Sequence, residues 1–269
     1  MQQITIGCDP ELFAFDQETG DPVSVHDILK GNKHKPFKVP RGAYQVDGVA
    51  AEFNIAPAAT RPVFLQNIKH VSSIMRNAVA AQNKNLILKA VPSVIFSEEY
   101  FGKLPEETKA LGCDPDFNAY TEAVNEKPNA ASLMRTGSGH IHVGWTGVDW
   151  EFDPDHIQNC LKTVKALDAV LEKQSFAWDK DTSRRALYGK PGDFRPKKYG
   201  VEYRTLSNAW LNETWSQMFV FDAALAATKK TLEGCDIPKL VEDAKDFTEY
   251  LNILDKNQIP TVRNYNAAA

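Results

Sequence analysis

Four short segments of the sequence each place chemically capable side chains two residues apart, with apolar residues between them. Asp9 and Glu11 alternate with Cys8 and Leu12, and Glu52 and Asn54 with Ala51, Phe53 and Ile55. His140 and His142 alternate with Ile141 and Val143, and Glu202 and Arg204 with Val201 and Tyr203. Side chains two apart on a strand point to the same face. As strands of one sheet, the four segments make an apolar face and a polar face lined by carboxylates, imidazoles and an arginine. A solvated sheet face alternates too, but it is normally Lys, Thr, Ser and Glu. Clustered acids raise one another's pKa unless cations sit among them. A carboxylate-rich site with one or two imidazoles suits a hard ion, Mg²⁺ or Mn²⁺. Zinc is the runner-up because of His140 and His142, but catalytic zinc usually takes about three protein ligands and a water, which an excess of acids fits less well.

A second feature is the run from Arg184 to Lys198, RRALYGKPGDFRPKK, with six basic residues and one acid, Asp193. Its glycines and prolines predict a structured loop. Arg185 and Arg195 carry planar guanidinium groups that match phosphate or carboxylate oxygens in pairs. Metal ions and arginines around a polyanion are the parts used in phosphoryl transfer. Neither a G-x-x-x-x-G-K-[ST] loop nor a G-x-G-x-x-G turn after the first strand is present. A second basic stretch, Gly31–Gly42, holds Lys33, Lys35, Lys38 and Arg41, follows Lys30, and has no acid.

The elements that must position these residues are legible in outline. Ile4–Phe15 and Val46–Ile55 read as strands, with a turn at Gly20-Asp21-Pro22. Arg61-Pro62 opens a helix in which Phe64, Ile68, Val71, Met75, Ala78 and Val79 recur at helical spacing. Leu86–Phe96, Ser138–Trp145 and Gly200–Leu206 are strand-like, and Gly112-Cys113-Asp114-Pro115 reads as a turn. Asp153-Pro154 starts a helix carrying Ile157, Leu161, Val164, Leu167 and Leu171. Helices near Glu213–Leu232 and Pro238–Asp255 close the chain. Strands and helices come in groups, which favours an α+β fold with an antiparallel or mixed sheet.

Composition sets the outer limits. The chain has 269 residues, 43% hydrophobic and 25% charged, as in an ordinary globular protein. Its longest apolar run, Ala90–Phe96, is far below the roughly 18 residues a membrane span needs. No signal peptide is visible at the N-terminus, and Cys8, Cys113, Cys160 and Cys235 form no C-x-x-C pair, so free thiols and a cytoplasmic location are expected. The net charge of −4 argues against nucleic acid as a partner. Trp145, Trp150, Trp178, Trp210 and Trp215 are expected in packing, and His26, His34, His70 and His156 at the surface. Asp114 and Asp116 fit a turn or a substrate mouth.

Taken in order along the chain, these motifs resemble the carboxylate–amine ligases, or amidoligases, of the glutamine synthetase and glutamate–cysteine ligase superfamily, in particular the phage-encoded branch. Asp9-Pro10-Glu11-Leu12-Phe13-Ala14-Phe15-Asp16 resembles its first metal-binding strand. Val46-Asp47-Gly48 through Ala51-Glu52-Phe53-Asn54 is similar to the second. Gly137-Ser138-Gly139-His140-Ile141-His142-Val143-Gly144 resembles the glycine-histidine strand, and Val201-Glu202-Tyr203-Arg204 the closing E-x-R strand. The first acid is Asp9 where glutamine synthetases have Glu, and Asp47 and Glu52 are spaced differently from the usual acid pair.

The resemblance implies a single catalytic domain over 1–262 with a tail at 263–269. Its curved, mainly antiparallel sheet would have a polar catalytic face and helices on the other. It also implies an ATP-dependent ligase that forms an amide through an acyl phosphate, joining a small-molecule or peptide carboxylate to an amine. Asp9, Glu11, Glu52, His140, His142 and Glu202 would hold Mg²⁺, or Mn²⁺ as the alternative. Arg204, Arg185 and Arg195 would offset charge on the transferred phosphoryl group, and Asp47 would act as base. Arg184, Lys190, Lys197 and Lys198 would contact ATP. An oligomer would fit the superfamily, and a phage-encoded protein would work in the host cytoplasm. Two other readings use the same residues: a metal-dependent phosphoesterase, and a non-catalytic nucleotide- or protein-binding module derived from a ligase. Two basic stretches point to a polyphosphate, against the first, and the full acid, histidine and arginine set counts against the second.

Overall fold

The computed structural model describes residues 3–109, 116–126, 132–147, 153 and 155–243. Among these the first strands are β1 (Ile4–Cys8), β2 (Glu11–Asp16), β3 (Pro22–Val23), β4 (Phe37–Val39), β5 (Gly42–Asp47), β6 (Ala50–Ile55), β7 (Leu86–Lys89) and β8 (Ser93–Ile95). They are followed by β9 (Phe117–Asn118), β10 (Ala123–Val124), β11 (Met134–Thr136), β12 (Ile141–Trp145), β13 (Asp193–Lys197) and β14 (Gly200–Tyr203).

The expected α+β class with a curled antiparallel sheet is what the chain adopts, but the strands divide into two sheets. One runs β1-β12-β14-β13-β9-β10. The other runs β3-β2-β6-β5-β4, with β7 also paired to β2. A ribbon of β8 and β11 stands apart. The two sheets meet where the chain passes from β1 to β2. Ile4–Phe15 is therefore two strands, because Pro10 has no N–H for a ladder. Around the break, Glu11 N–H donates to Ser138 O at 2.9 Å and Phe53 N–H to Pro10 O at 3.1 Å.

Other differences have equally local causes. The Val46–Ile55 segment is the turn of a hairpin: Gly48 at φ 55° reverses the chain, so Gln45 pairs with Glu52. Leu86–Phe96 splits at Pro92 into β7 and β8, which belong to different sheets. The expected loop Arg184–Lys198 is instead a helical turn, Thr182–Leu187, followed by β13. β12 starts at Ile141, with Ser138 outside it in a bridge to Ser207, and β14 ends at Tyr203. The helix expected from Asp153-Pro154 begins at His156 after Asp155, whose side chain makes no cap bond. The last helix starts at Ile237 and is described to Glu242. Pro154, Trp150, the Gly112–Pro115 turn with Cys113 and Asp114, the rest of the Pro238–Asp255 helix and the 263–269 tail lie outside the described residues.

The helix Arg61–Gln82 buries Phe64, Ile68, Val71, Met75 and Val79, the stripe read from its spacing. The helix Thr214–Leu232 is buried over much of its circumference, with Phe219, Val220, Phe221, Ala223, Ala224 and Ala227 in the core. Trp145 and Trp210 are core residues, and Trp178 and Trp215 pack against the core. His156, expected at the surface, is buried beside Trp145, and its Nε2 meets Lys197 O at 2.9 Å. Cys8, Cys160 and Cys235 are free. Among the described residues no helix is long and apolar enough to cross a membrane.

Candidate active site

The two sheets wall a cavity of about 320 Å³. Nine of the sequence-expected site residues line it: Asp9, Glu11, Asp47, Glu52, His140, Arg195, Lys197, Glu202 and Arg204. Strand register explains why. Glu11 on β2 is directly opposite Glu52 on β6, and Gln45 on β5 is opposite Glu52 on its other side. His142 on β12 is opposite Glu202 on β14, and Arg195 on β13 is opposite the same Glu202. Facing residues in an antiparallel pair share a side of the sheet.

The side chains form two acidic groups, each with ligand atoms within 4.8 Å of one another. The first is Asp9, His142 and Glu202. His142 Nε2 is 2.9 Å from Asp9 Oδ2, and His140 Nδ1 is 3.3 Å from Asp9 Oδ1 and 3.6 Å from Glu202 Oε1. The Tyr199 hydroxyl hydrogen-bonds the other nitrogen of His142. Glu202 is ringed by cations: Arg195 at 3.2 Å, Lys197 at 2.6 Å, and Arg204 in direct contact. Burial alone would raise Asp9, but the two histidines hold it well below the ordinary carboxylate range. This group is balanced from within.

The second group is Glu11, Asp47 and Glu52, and it is short of positive charge. Ser138 N–H donates to Glu11 Oε2 at 2.9 Å, and Gln45 Nε2 donates to Glu52 Oε1 at 3.1 Å. Burial, with Asp47's charge behind it, still pushes Glu11 up to about 8. Burial and the charges of Asp9, Asp47 and Glu11 push Glu52 well above its ordinary value. Three oxygens whose ionised forms are mutually destabilised suit a hard divalent cation. His140 adds a buried Nε2 with no hydrogen-bond partner among the described residues. Burial and the nearby Arg204 lower that imidazole to about 4, which keeps it neutral and able to ligate. His142 Nε2 likewise has no hydrogen-bond partner among the described residues, but it faces Asp9 Oδ2 at 2.9 Å, so His140 has the freer nitrogen of the two. Zinc at Asp9, His142 and Glu202 fits less well, because three cations already engage Glu202.

Five expected residues, Arg184, Arg185, Lys190, Lys198 and His142, do not line the cavity. Arg184 is fully buried and donates to Thr205 O at 2.8 Å and Leu206 O at 2.9 Å, clamping the end of the strand segment that carries Glu202 and Arg204. Arg185 is turned toward Glu172 at 3.5 Å and Asp179 at 3.6 Å, and stacks over Phe176. Lys190 and Lys198 are exposed and do not line the cavity. His142 lies behind Asp9, and Asn54 is beyond the cavity on the face of Glu52.

Sequence reasoning missed Tyr188, whose hydroxyl accepts from Arg204 and whose ring lies beneath that guanidinium. It stood inside the basic run, flanked by residues that drew attention for their charge. Gln45 was legible as the residue two before Asp47, on the same face. Asp116, weighed between a turn and a mouth, meets Arg204 Nε at 3.3 Å.

Residues 123–244 match the family described as phage phiEco32-like COOH.NH2 ligase-type 2. The match covers 122 of 269 residues, just under half of the chain. It contains His140, Arg195, Lys197, Glu202 and Arg204, while Asp9, Glu11, Asp47 and Glu52 precede it. The family description names the reaction class, a carboxylate joined to an amine. No curated protein matches the chain.

Proposed function

With a carboxylate–amine ligase segment at residues 123–244 as the premise, we propose that this protein is an ATP-dependent ligase that forms an amide through an acyl phosphate. One observation carries the reading: the carboxylates Glu11, Asp47 and Glu52 and the cations Arg195, Lys197 and Arg204 line the same cavity. A carboxylate ion is a poor electrophile, so one of its oxygens must become a leaving group. It attacks the γ-phosphorus of ATP, and ADP departs. The amine then attacks the acyl carbon, and phosphate departs with its electron pair.

Glu11 and Glu52, with His140, would hold Mg²⁺, which would supply positive charge to the polyphosphate oxygens. Arg195 and Arg204 offset charge on the phosphoryl group during transfer, as preorganised donors do. Lys197 adds a point charge on the same wall. Tyr188 and Glu202 orient Arg204. Asp47 is the most open of the three acids and takes a proton from the ammonium form of the acceptor, freeing the nitrogen lone pair for attack.

The test is phosphate release from ATP and Mg²⁺ across a panel of acids and amines, with Glu202→Gln and Glu52→Gln as controls. Release that needs one acid and one amine, and that both variants lose, supports the ligase. Absence of nucleotide binding by calorimetry sinks it, and cleavage of a phosphate ester with no amine present would favour the phosphoesterase.

A further inference from the structure

The lysine-rich stretch after Leu29 is not used by this mechanism. From Ile28 to Val46 the sequence has no Asp or Glu but five basic residues, Lys30, Lys33, Lys35, Lys38 and Arg41, in a chain of net charge −4. The fold aims part of it at the cavity. Lys33 lines the cavity and acts on Asp47. Lys38 on β4 is paired with Ala43, and Ala43 with Asn54. Residues 43, 45 and 47 alternate onto one face, so Lys38 shares the face of Gln45, Asp47 and Glu52. The opposite face carries Tyr44 and Phe53 into the core. The loop is pinned: Val46 N–H donates to Gly31 O at 3.2 Å, and Asn32 and Lys35 bridge each other. Gly31, at φ +90°, lies against Phe37 N and Tyr44 O, where a Cβ would not fit. Among the described residues Lys30, Lys35 and Lys38 are exposed and have no ion-pair partner.

We propose that this track, from Lys38 and Lys35 to Lys33 at the cavity, docks an acidic peptide and delivers one of its carboxylates to the reacting centre. The identity of the delivered group rests on the ligase reading; the docking does not. A chain of carboxylates is favoured over nucleic acid because the reaction of the matched family consumes a carboxylate. The track's lysines act as point charges that attract an anionic chain, and its one arginine, Arg41, is already bonded to Gln66 and Asn67 at 3.0 Å.

The experiment is fluorescence anisotropy with a labelled oligo-glutamate of about ten residues, and with an oligothymidylate of equal charge. Lys35→Glu/Lys38→Glu is the variant; both side chains are exposed, and its melting temperature reports that it folds. The expected result is binding of oligo-glutamate by the wild-type chain. It should weaken about tenfold in the variant, and further as salt rises from about 0.05 to about 0.5 M. Equal binding by the variant, no binding by the wild type, or tighter binding of oligothymidylate would each overturn the proposal. Because binding is read without turnover, a protein that docks the peptide yet releases no ADP would count against the ligase reading and leave the docking standing.

Discussion

Glu11 and Glu52 are directly paired across β2 and β6, two carboxylates in a position where opposite charges would stabilise the sheet. Glu202, by contrast, sits among Arg195, Lys197 and Arg204. The same Glu→Gln change should therefore move stability in opposite directions. Glu52→Gln relieves a repulsion and should raise the melting temperature by about 2–4 °C. Glu202→Gln removes the buried carboxylate that Arg195, Lys197 and Arg204 share and should cost about 3 kcal/mol. Calorimetry of the two variants checks this, and a fall for both would show that the pair at Glu11 is not repulsive.

Cation binding to the Glu11, Asp47 and Glu52 group should appear as thermal stabilisation. Mg²⁺ or Mn²⁺ at about a hundredfold over its Kd adds roughly 2.7 kcal/mol to a state that alone binds it. The shift should vanish in Glu11→Gln/Glu52→Gln. An equal shift in that double variant would place the ion elsewhere.

Asp168 gives a pH dependence away from the site. It is buried where a turn of π-helix, Asp168–Glu172, extends the helix His156–Leu167, and it accepts from the Tyr203 hydroxyl at 2.6 Å. Burial pushes it up to about 6 despite the hydroxyls around it. An acid raised in the folded state holds its proton more tightly there than in the unfolded chain. Stability should therefore fall as pH rises from about 4 to about 6. Asp168→Asn, which keeps the acceptor, should remove about 2–3 kcal/mol of that slope. Urea midpoints at pH 4 and pH 7 decide it, and identical slopes would rule Asp168 out.

Gly139 tests how His140 is held. A Cβ there would lie 2.4 Å from Ser207 O and 2.5 Å from Trp210 Nε1, both in the packed interior. Gly139→Ala should cost about 1–3 kcal/mol and weaken metal binding, because the displaced backbone carries the imidazole with it. Denaturant melts and the metal-induced thermal shift measure the two effects. A variant as stable as the wild type would show that the interior relaxes freely at this point.

Much of the site was legible because period-two alternation is local. Asp9, Glu11, Glu52, His140, Glu202 and Arg204 stood out from spacing alone, and register then gathered them. The helix Arg61–Gln82 was legible for the same reason, its apolar residues recurring at helical spacing. The basic run was harder, because charge says nothing about direction. Arg184 and Arg195 looked alike, yet one side chain enters the cavity and the other is locked to Thr205 O and Leu206 O. Long-range contacts decided which. The break at Asp9-Pro10 also escaped notice, because the segment reads as one continuous strand until the partners on either side are known.

That break couples the two acidic groups mechanically. Asp9 belongs to one group and Glu11 to the other, and a single proline separates them. Their Cα atoms can be no more than about 7 Å apart whatever the rest of the molecule does. If one sheet rocks against the other, the rotation passes through the segment that contributes a carboxylate to each group. The distance between the groups is thus a ruler written into the covalent chain. Inserting one residue between Asp9 and Glu11 would lengthen it without altering any ligand.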